Sequence, residues 1–168
     1  YRSVNVEIGG SQFNPPAPES VAGDMDQFGQ WLQKASVPGD LFEPAEALLA
    51  ASAAHTWFVT IHPFIDGNGR VARLLMNLVL MRFGFPIAVV TREDRLRYYD
   101  ALEFSQASDL TPFVSLIAEC VEESLEVDAF RQAVGGHQHA VNHRGGLAHA
   151  DDADAAHLGR QLAGHGIA

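Results

Sequence analysis

Residues 62–73 read His-Pro-Phe-Ile-Asp-Gly-Asn-Gly-Arg-Val-Ala-Arg and lead directly into an apolar run with helical spacing. The first turn of a helix presents unpaired backbone N–H groups and the positive end of a dipole, which together attract phosphate. Glycines let the backbone approach a ligand closely. Arg70 and Arg73 share a face near the helix start, while His62 and Asp66 flank the turn. The stretch therefore combines a candidate base, a candidate metal ligand and a cradle for a polyphosphate.

Apolar residues at helical spacing predict helices on both sides of this turn. The helix over 70–83 is apolar almost all round, which is typical of the buried centre of a bundle. Alternation at Val4, Val6 and Ile8 predicts a strand that enters a turn at Gly9-Gly10. The fold class is therefore all-α with one short hairpin. Four further helices are expected. The first follows Ser20 as its N-cap, the second begins at Pro44, the third follows a pair resembling a capping box, Thr91 and Asp94, and the fourth begins at Thr111-Pro112. Gly84 is expected to end the helix over 70–83 as its C-cap.

The charge distribution points to a small anionic ligand. Eleven basic residues against 21 acidic ones give a net charge of −10, which disfavours nucleic acid as a partner. From Gly67 through Arg92 there is no acidic residue, although four arginines fall in that segment. Burial of the helix would also explain the missing carboxylates, and both explanations can hold together.

Cysteine content and hydropathy restrict the setting. Cys120 is the only cysteine, so an internal disulfide and a zinc–thiolate cluster are excluded, and its apolar surroundings indicate helix packing. His55 is likewise interpreted as a packing residue. No apolar run approaches the length of a membrane span and no signal-peptide pattern is present, so a cytoplasmic protein without a membrane partner is expected. A start at Tyr1 rather than Met suggests a fragment.

The composition changes at Gly135. Residues 135–168 contain six of the eight histidines, clustered glycine and alanine, and few large apolar residues. Such a segment buries too little apolar surface to offset its ordering entropy, so a disordered tail is expected. The irregular histidine spacing does not favour a metal site. The predicted organisation is a catalytic domain over 1–134 followed by a tail over 135–168.

The motif resembles the signature of the Fic-domain family, HPFx(D/E)GNGRxxR. Every fixed position is filled, and the resemblance extends from about Tyr1 to about Asp128. It implies a Fic-type helical bundle with a β-hairpin flap, at about residues 4–16, over the active site. The matched positions are His62, Pro63, Phe64, Asp66, Gly67, Asn68, Gly69, Arg70 and Arg73.

The resemblance implies a protein adenylyltransferase, a nucleotidyltransferase that uses ATP for AMPylation. His62 would deprotonate a Ser, Thr or Tyr hydroxyl of a target protein, and the oxygen would attack the α-phosphorus and release pyrophosphate. Asp66 would bind Mg²⁺ or Mn²⁺, as expected for one carboxylate beside a polyphosphate. The phosphates would be held by Gly67, Asn68, Gly69, Arg70 and Arg73, with Arg73 on the γ-phosphate.

Two further groups of residues are implied by the resemblance. Gln106 stands where relatives carry an asparagine near the base, which puts the identity of the nucleotide in doubt. The flap would bind the target peptide by adding it as a β-strand. The base and ribose pocket would comprise Ile8, Tyr98, Tyr99, Leu102 and Gln106, and the docking segment Val6, Glu7, Ile8 and Gly9.

Other functions remain compatible with the same residues. Hydrolytic removal of AMP and transfer of another nucleotide would use the same site, while a non-catalytic nucleotide-binding module represents a different class. The Doc-type kinase branch is disfavoured because it carries lysine where this chain has Gly69. A P-loop NTPase is excluded because no Gly-Lys-Ser/Thr follows the turn.

Regulation is expected to come from an inhibitory segment or a partner protein that lies outside residues 1–168. Fic domains are often inhibited by a helix with the pattern (S/T)xxxE(G/N), and this chain has no such segment, since Ser115 to Glu119 is followed by Cys120. The resemblance therefore implies an inhibitory helix in a preceding segment, whose absence would leave the domain active, or a separate antitoxin. A homodimer is a further expected assembly.

Overall fold

The computed structural model describes residues 1–11, 13–39 and 43–144 of the chain. Those ranges contain helices and no strand, so the predicted all-α class is confirmed. None of these helices is both long and apolar enough to cross a lipid bilayer. The helices are α1 (Pro18–Ala35), α2 (Pro44–Ile61), α3 (Asn68–Arg82), α4 (Arg95–Gln106) and α5 (Thr111–Arg144).

The chain divides into two compact units, Tyr1–Asp128 and Ala129–Ala168. In the second unit the described residues, 129–144, are helical and form the end of α5. This helix thus enters the segment for which composition predicted disorder. The domain boundary at residue 134 stays a prediction, and the rest of the predicted tail, 145–168, lies outside the described residues.

Helix α2, rather than α3, lies at the centre of the first unit. It contacts α1, α3 and α4, and its alanines Ala47, Ala51 and Ala54 are fully buried. Alanine lets neighbouring helices approach closely while it loses no side-chain entropy. Proline at the first position of α2 matches the predicted helix start.

The prediction that the helix over 70–83 is buried on all sides is wrong. Leu74, Leu78 and Met81 are 71%, 48% and 53% exposed, although the opposite side of α3 is buried. Helix α3 packs against α2 through that opposite side. One neighbouring helix covers only part of a helix circumference, so the apolar sequence of α3 does not by itself ensure burial.

The predicted hairpin is also absent from the described N-terminal residues. Val4 to Ile8 are not paired as a strand, and the chain turns at Gly9-Gly10 with a hydrogen bond from Ser11 N to Ile8 O of 3.1 Å. A strand requires a pairing partner, and the returning segment contains Pro15 and Pro16, which have no N–H to donate. The predicted flap segment is therefore irregular.

Two helix ends test the predicted capping. Ser20 does not cap α1, which begins at Pro18 after Ala17, and the Ser20 hydroxyl donates instead to Ala17 O at 2.9 Å. Gly84 follows α3 as predicted, with φ of +81° and an N–H bond to Met81 O of 3.0 Å. A positive φ at this position is favourable for glycine and ends the helix.

The packing role predicted for His55 is confirmed. Its imidazole is fully buried and stacks on Phe113 with ring centres 4.8 Å apart. The Nε2 atom lies 3.1 Å from the Tyr98 hydroxyl. Burial, assisted by the positive charge of Arg73, lowers the pKa of His55 to about 3. The imidazole is therefore neutral in the folded protein at physiological pH.

We expect His55 to make the fold sensitive to acid. Between about pH 6.5 and pH 3 the unfolded imidazole binds a proton that the folded one does not. The free energy of unfolding should therefore fall as the pH decreases through this window, by at most about 1.4 kcal/mol per pH unit, and His55 should add no pH dependence above it. Urea unfolding at several pH values measures the slope. His55→Gln cannot titrate and should show a shallower slope; equal slopes would contradict the prediction.

Candidate active site

His62 ends α2 in a left-handed backbone conformation. Its φ and ψ are 51° and 58°, and its N–H still donates to Phe58 O at 3.0 Å. Residues other than glycine adopt this region infrequently, and it turns the chain sharply out of the helix. The buried Pro63 follows and cannot continue the helix. The motif loop therefore begins directly at the candidate base.

The imidazole of His62 is held as a neutral base. Its Nδ1 lies 3.2 Å from Val59 O. Because a carbonyl oxygen only accepts, Nδ1 carries the hydrogen, and Nε2 keeps its lone pair. Burial lowers the pKa of His62 and the charge of Arg2 lowers it further, while the bond to Val59 opposes both. The ring can therefore accept a proton at neutral pH.

Arg2 ties the N-terminal segment to the motif loop, a role that sequence reasoning missed. Its Nε donates to His62 O at 2.8 Å, and its backbone N–H donates to Pro63 O at 2.8 Å. Its guanidinium also donates to Val4 O at 3.1 Å and to Pro16 O. Arg2 is only 5% exposed. A single arginine 60 positions from His62 carries no sequence signal for this contact.

Asn68 closes the motif loop. Its Oδ1 accepts from Phe64 N at 3.0 Å and its Nδ2 donates to Phe64 O at 2.8 Å, and the side chain is buried. These bonds use one of the two Nδ2 hydrogens within the loop, and donation from Asn68 to phosphate stays a prediction. Asn68 is also the first residue of α3, after Gly67 with φ of +86°. The backbone at this position still belongs to the helix start that attracts anions.

Asp66 and Arg70 form an ion pair at the rim of the site. Asp66 Oδ2 lies 3.0 Å from Arg70 Nη2, and the two side chains are 89% and 72% exposed. The other carboxylate oxygen accepts from Gly67 N at 2.6 Å. An exposed pair contributes only about 0.2–1 kcal/mol, so a phosphate or a cation can separate it. Both side chains are therefore accessible to a ligand in their predicted roles.

Arg73 lies in a cleft of about 240 Å³ with two further arginines. Its guanidinium carbon is 6.0 Å from the centre of the Tyr98 ring, and that of Arg95 is 5.6 Å from the Tyr99 ring. No carboxylate of the described residues lines the cleft, which is therefore suited to an anion. Sequence reasoning noted Arg92 without assigning it and missed Arg95, whose spacing of four from Tyr99 was the available signal. The lining residues are Arg73, Val90, Thr91, Arg92, Arg95, Tyr98 and Tyr99.

The predicted base-pocket residues are only partly brought together. Tyr98 and Tyr99 both line the arginine cleft, but Tyr98 is buried and Tyr99 is half exposed. Leu102 packs against the apolar core, and Ile8 is half buried; neither lines the cleft. Gln106 Oε1 is buried and has no hydrogen-bond partner in the described part of the chain. A buried amide oxygen without a partner destabilises the fold, as expected where a ligand or a water molecule supplies the missing hydrogen bond.

Comparison with known proteins places this loop in a family. A sequence model described as the Fic/DOC family matches residues 1–80, which include the whole motif. The chain is also 41% identical over 126 residues to a protein adenylyltransferase Fic of Nematostella vectensis, and 41% identical over 127 residues to one of Aedes aegypti.

The matched part of the chain, residues 1–80, belongs to the Fic/DOC family.

These Fic relatives are much longer than the chain. The alignments cover 75% and 76% of this chain but only 28% and 24% of the two relatives, so the chain spans about a quarter of their length. Solved structures agree on the fold. A Fic domain-containing signalling protein of Bacteroides thetaiotaomicron superposes with a TM-score of 0.64 at 31% identity, covering 75% of this chain and 52% of that one. For Fic-1 of C. elegans the TM-score is 0.57 at 36% identity, covering 73% and 35%.

Proposed function

We propose that this chain is the catalytic part of a protein adenylyltransferase that transfers AMP from ATP to a hydroxyl of a target protein. The observation that carries the proposal is the neutral His62, whose free Nε2 lies at the start of the loop that leads into α3 and the arginine cleft. The curated Fic relatives are named protein adenylyltransferases, which supports this reaction over hydrolytic removal of AMP.

In the proposed reaction His62 acts as the general base. The target hydroxyl oxygen forms a bond to the α-phosphorus of ATP while its proton passes to His62 Nε2. The bond between the α-phosphorus and the bridging oxygen to the β-phosphate breaks, and pyrophosphate leaves with that electron pair. A base of this type contributes about 10²–10⁴-fold to the rate.

Positive groups around the loop would bind the phosphates. The N–H of Gly69 lies at the start of α3 and Arg70 is exposed beside it, while the N–H of Gly67 would exchange its bond to Asp66 for one to phosphate. Arg73 would contact the terminal phosphate, and Arg92 and Arg95 extend the positive surface of the same cleft. A guanidinium group can donate two parallel hydrogen bonds to one phosphate, and its positive charge offsets the negative charge on the leaving pyrophosphate.

Asp66 fits the role of a Mg²⁺ or Mn²⁺ ligand. Mg²⁺ usually takes one or two carboxylates and completes its shell with phosphate oxygens and water. In the described ranges no cluster of three or more His, Cys, Asp or Glu residues surrounds a common point, and the exposed Asp66 carboxylate supplies one hard oxygen donor beside the phosphate cradle. The ion would offset negative charge on the phosphates when bound.

Recognition of the base would fall to α4 and the flap segment. Tyr99 offers a half-exposed aromatic face, and the unpaired Gln106 Oε1 can accept from an exocyclic amine such as that of adenine. The Ser11 hydroxyl donates to Glu103, which brings the flap segment to the same helix. Ile8 and Leu102 would complete the apolar side of this pocket.

The target protein would dock on the irregular flap segment. Residues Val6, Glu7, Ile8 and Gly9 are not paired as a strand, so their backbone groups other than Ile8 O, which accepts from Ser11 N, would pair with an extended peptide. An inhibitory helix from a preceding segment, a separate antitoxin or a second copy of the chain would regulate access to the same site.

Labelled ATP tests the proposed reaction. We expect incubation with Mg²⁺ and ATP labelled at the α-phosphate to label a target protein or the chain itself, with a mass increase of one AMP. ATP labelled at the γ-phosphate should give no label, because that phosphate leaves in pyrophosphate. Transfer of the γ-label would indicate a kinase, and nucleotide binding without either label would indicate a non-catalytic module.

A further inference from the structure

Four helices bring side chains together behind the arginine cleft. His55 of α2 stacks on Phe113 of α5 with ring centres 4.8 Å apart. Its Nε2 lies 3.1 Å from the hydroxyl of Tyr98 on α4. The Tyr98 ring lies 6.0 Å from the guanidinium carbon of Arg73 on α3, and both Arg73 and Tyr98 line the cleft. A continuous path of contacts therefore runs from the buried core to Arg73.

The chemistry of the two end residues, Arg73 and His55, determines which atoms along this path can donate a hydrogen bond and which can accept one. The guanidinium of Arg73 can only donate hydrogen bonds, so in any bond between the two side chains the Tyr98 oxygen would be the acceptor. The Tyr98 hydrogen can then point to His55 Nε2, which accepts because the low pKa of His55 keeps the ring neutral. Burial raises the pKa of Tyr98, whereas the charge and hydrogen bonding of Arg73 lower it, as expected for a hydroxyl oxygen facing a cation.

An apolar residue at position 55 would avoid burying a polar atom that has no hydrogen-bond partner. His55 is fully buried, and its Nδ1 has no hydrogen-bond partner in the part of the chain that the structure describes. A buried polar atom without a partner destabilises a fold, and a side chain of similar size without nitrogen would avoid this loss. The one polar contact that His55 does make is to Tyr98. This pattern indicates that His55 serves the Tyr98 hydroxyl in addition to packing in the core.

We propose that His55 and Tyr98 are positioning residues that hold the Arg73 guanidinium in a fixed orientation at the cleft. None of the described residues that line the cleft carries a carboxylate, and the contact that orients Arg73 there is with the aromatic ring of Tyr98. A carboxylate would compete with phosphate for the guanidinium donors, whereas a tyrosine leaves most of them open. A pre-oriented side chain also loses less rotamer freedom when a ligand binds. The consequence for phosphate binding rests on the proposed function, but the orientation of Arg73 does not.

The first experiment measures the mobility of Arg73 in the ligand-free protein. NMR relaxation of the Arg73 Nε–H group should report a restrained side chain in the wild type and a mobile one in Tyr98→Phe and His55→Leu. His55→Gln can place its amide oxygen, a hydrogen-bond acceptor, near the Nε2 position and should restore the restraint. Thr56→Val is the matched control, because it removes a buried hydroxyl bond, from Thr56 Oγ1 to Ser52 O at 3.0 Å, in the same helix. Equal Arg73 mobility in all five proteins would overturn the proposal.

The second experiment compares ATP with AMP as ligands of the same variants. Tyr98→Phe should weaken ATP binding by about 2- to 12-fold, the loss expected when one mobile side chain must be immobilised on binding. AMP lacks the terminal phosphates and should bind unchanged. In an Arg73→Ala background Tyr98→Phe should have no further effect on ATP, since its influence passes through Arg73. Equal losses in both backgrounds would overturn the proposal, whereas a wild type that binds neither nucleotide would refute the proposed function and leave the NMR result to decide on positioning.

Discussion

Replacement of His62 by Ala is expected to slow AMP transfer by about 10²–10⁴-fold while ATP affinity stays within about two-fold. The free Nε2 of His62 is the proposed proton acceptor, and it makes no part of the phosphate cradle, which begins at Gly67. The loss should therefore appear in kcat and not in ATP binding. Transfer rates with a fixed target protein and ATP titration by calorimetry measure the two quantities separately.

The backbone at position 62 requires a second variant. His62 has φ of 51°, and alanine adopts this region less readily than asparagine. His62→Asn should thus preserve the loop and ATP affinity and yet be as slow as His62→Ala, because an amide is not a base. If the asparagine variant transferred AMP at the wild-type rate, the loop geometry and not the imidazole would be the essential feature.

The motif loop could be predicted because its chemistry is local in sequence. His62, Asp66, Gly67, Arg70 and Arg73 are separated by a few residues, and the order of turn and helix fixes which side chains share an end of α3. The same holds for the helices, since their apolar spacing and proline positions are properties of one segment at a time. The imidazole orientation of His62 depends on Val59, which is also a near neighbour in sequence.

Features that depend on distant partners were not predictable in this way. The strand expected from Val4 to Ile8 had the right alternation, but no second segment pairs with it among the described N-terminal residues. The exposed side of α3 has the composition of a core helix, and only the arrangement of the neighbouring helices decides which side is covered. Arg92 and Arg95 meet Arg73 through the packing of α3 and α4, which no spacing rule reveals.

Arg2 is the clearest case of such a distant partner, and its replacement should have the second largest effect on the reaction. Arg2→Gln removes a buried cation that donates to the carbonyl oxygens of Val4, Pro16 and His62. We expect kcat/KM to fall by about 10- to 100-fold, because a displacement near 1 Å at a reacting group has an effect of this size. The unpaired carbonyls should also lower the free energy of unfolding by about 1–3 kcal/mol.

The pH profile separates the charge of Arg2 from its hydrogen bonds. Burial is the main cause of the lowered pKa of His62, and the Arg2 charge adds to it. Loss of that charge in Arg2→Gln should raise the pKa of His62 toward its ordinary value near 6.5, so the acidic limb of the kcat/KM profile should move to higher pH. Arg2→Lys keeps the charge but not the planar set of donors, so it should lose rate while its acidic limb stays in place. A wild-type pH profile of kcat/KM in Arg2→Gln would show that the charge of Arg2 does not affect the pKa of His62. A wild-type rate in both variants would show that the hydrogen bonds between Arg2 and the motif loop are not needed for catalysis.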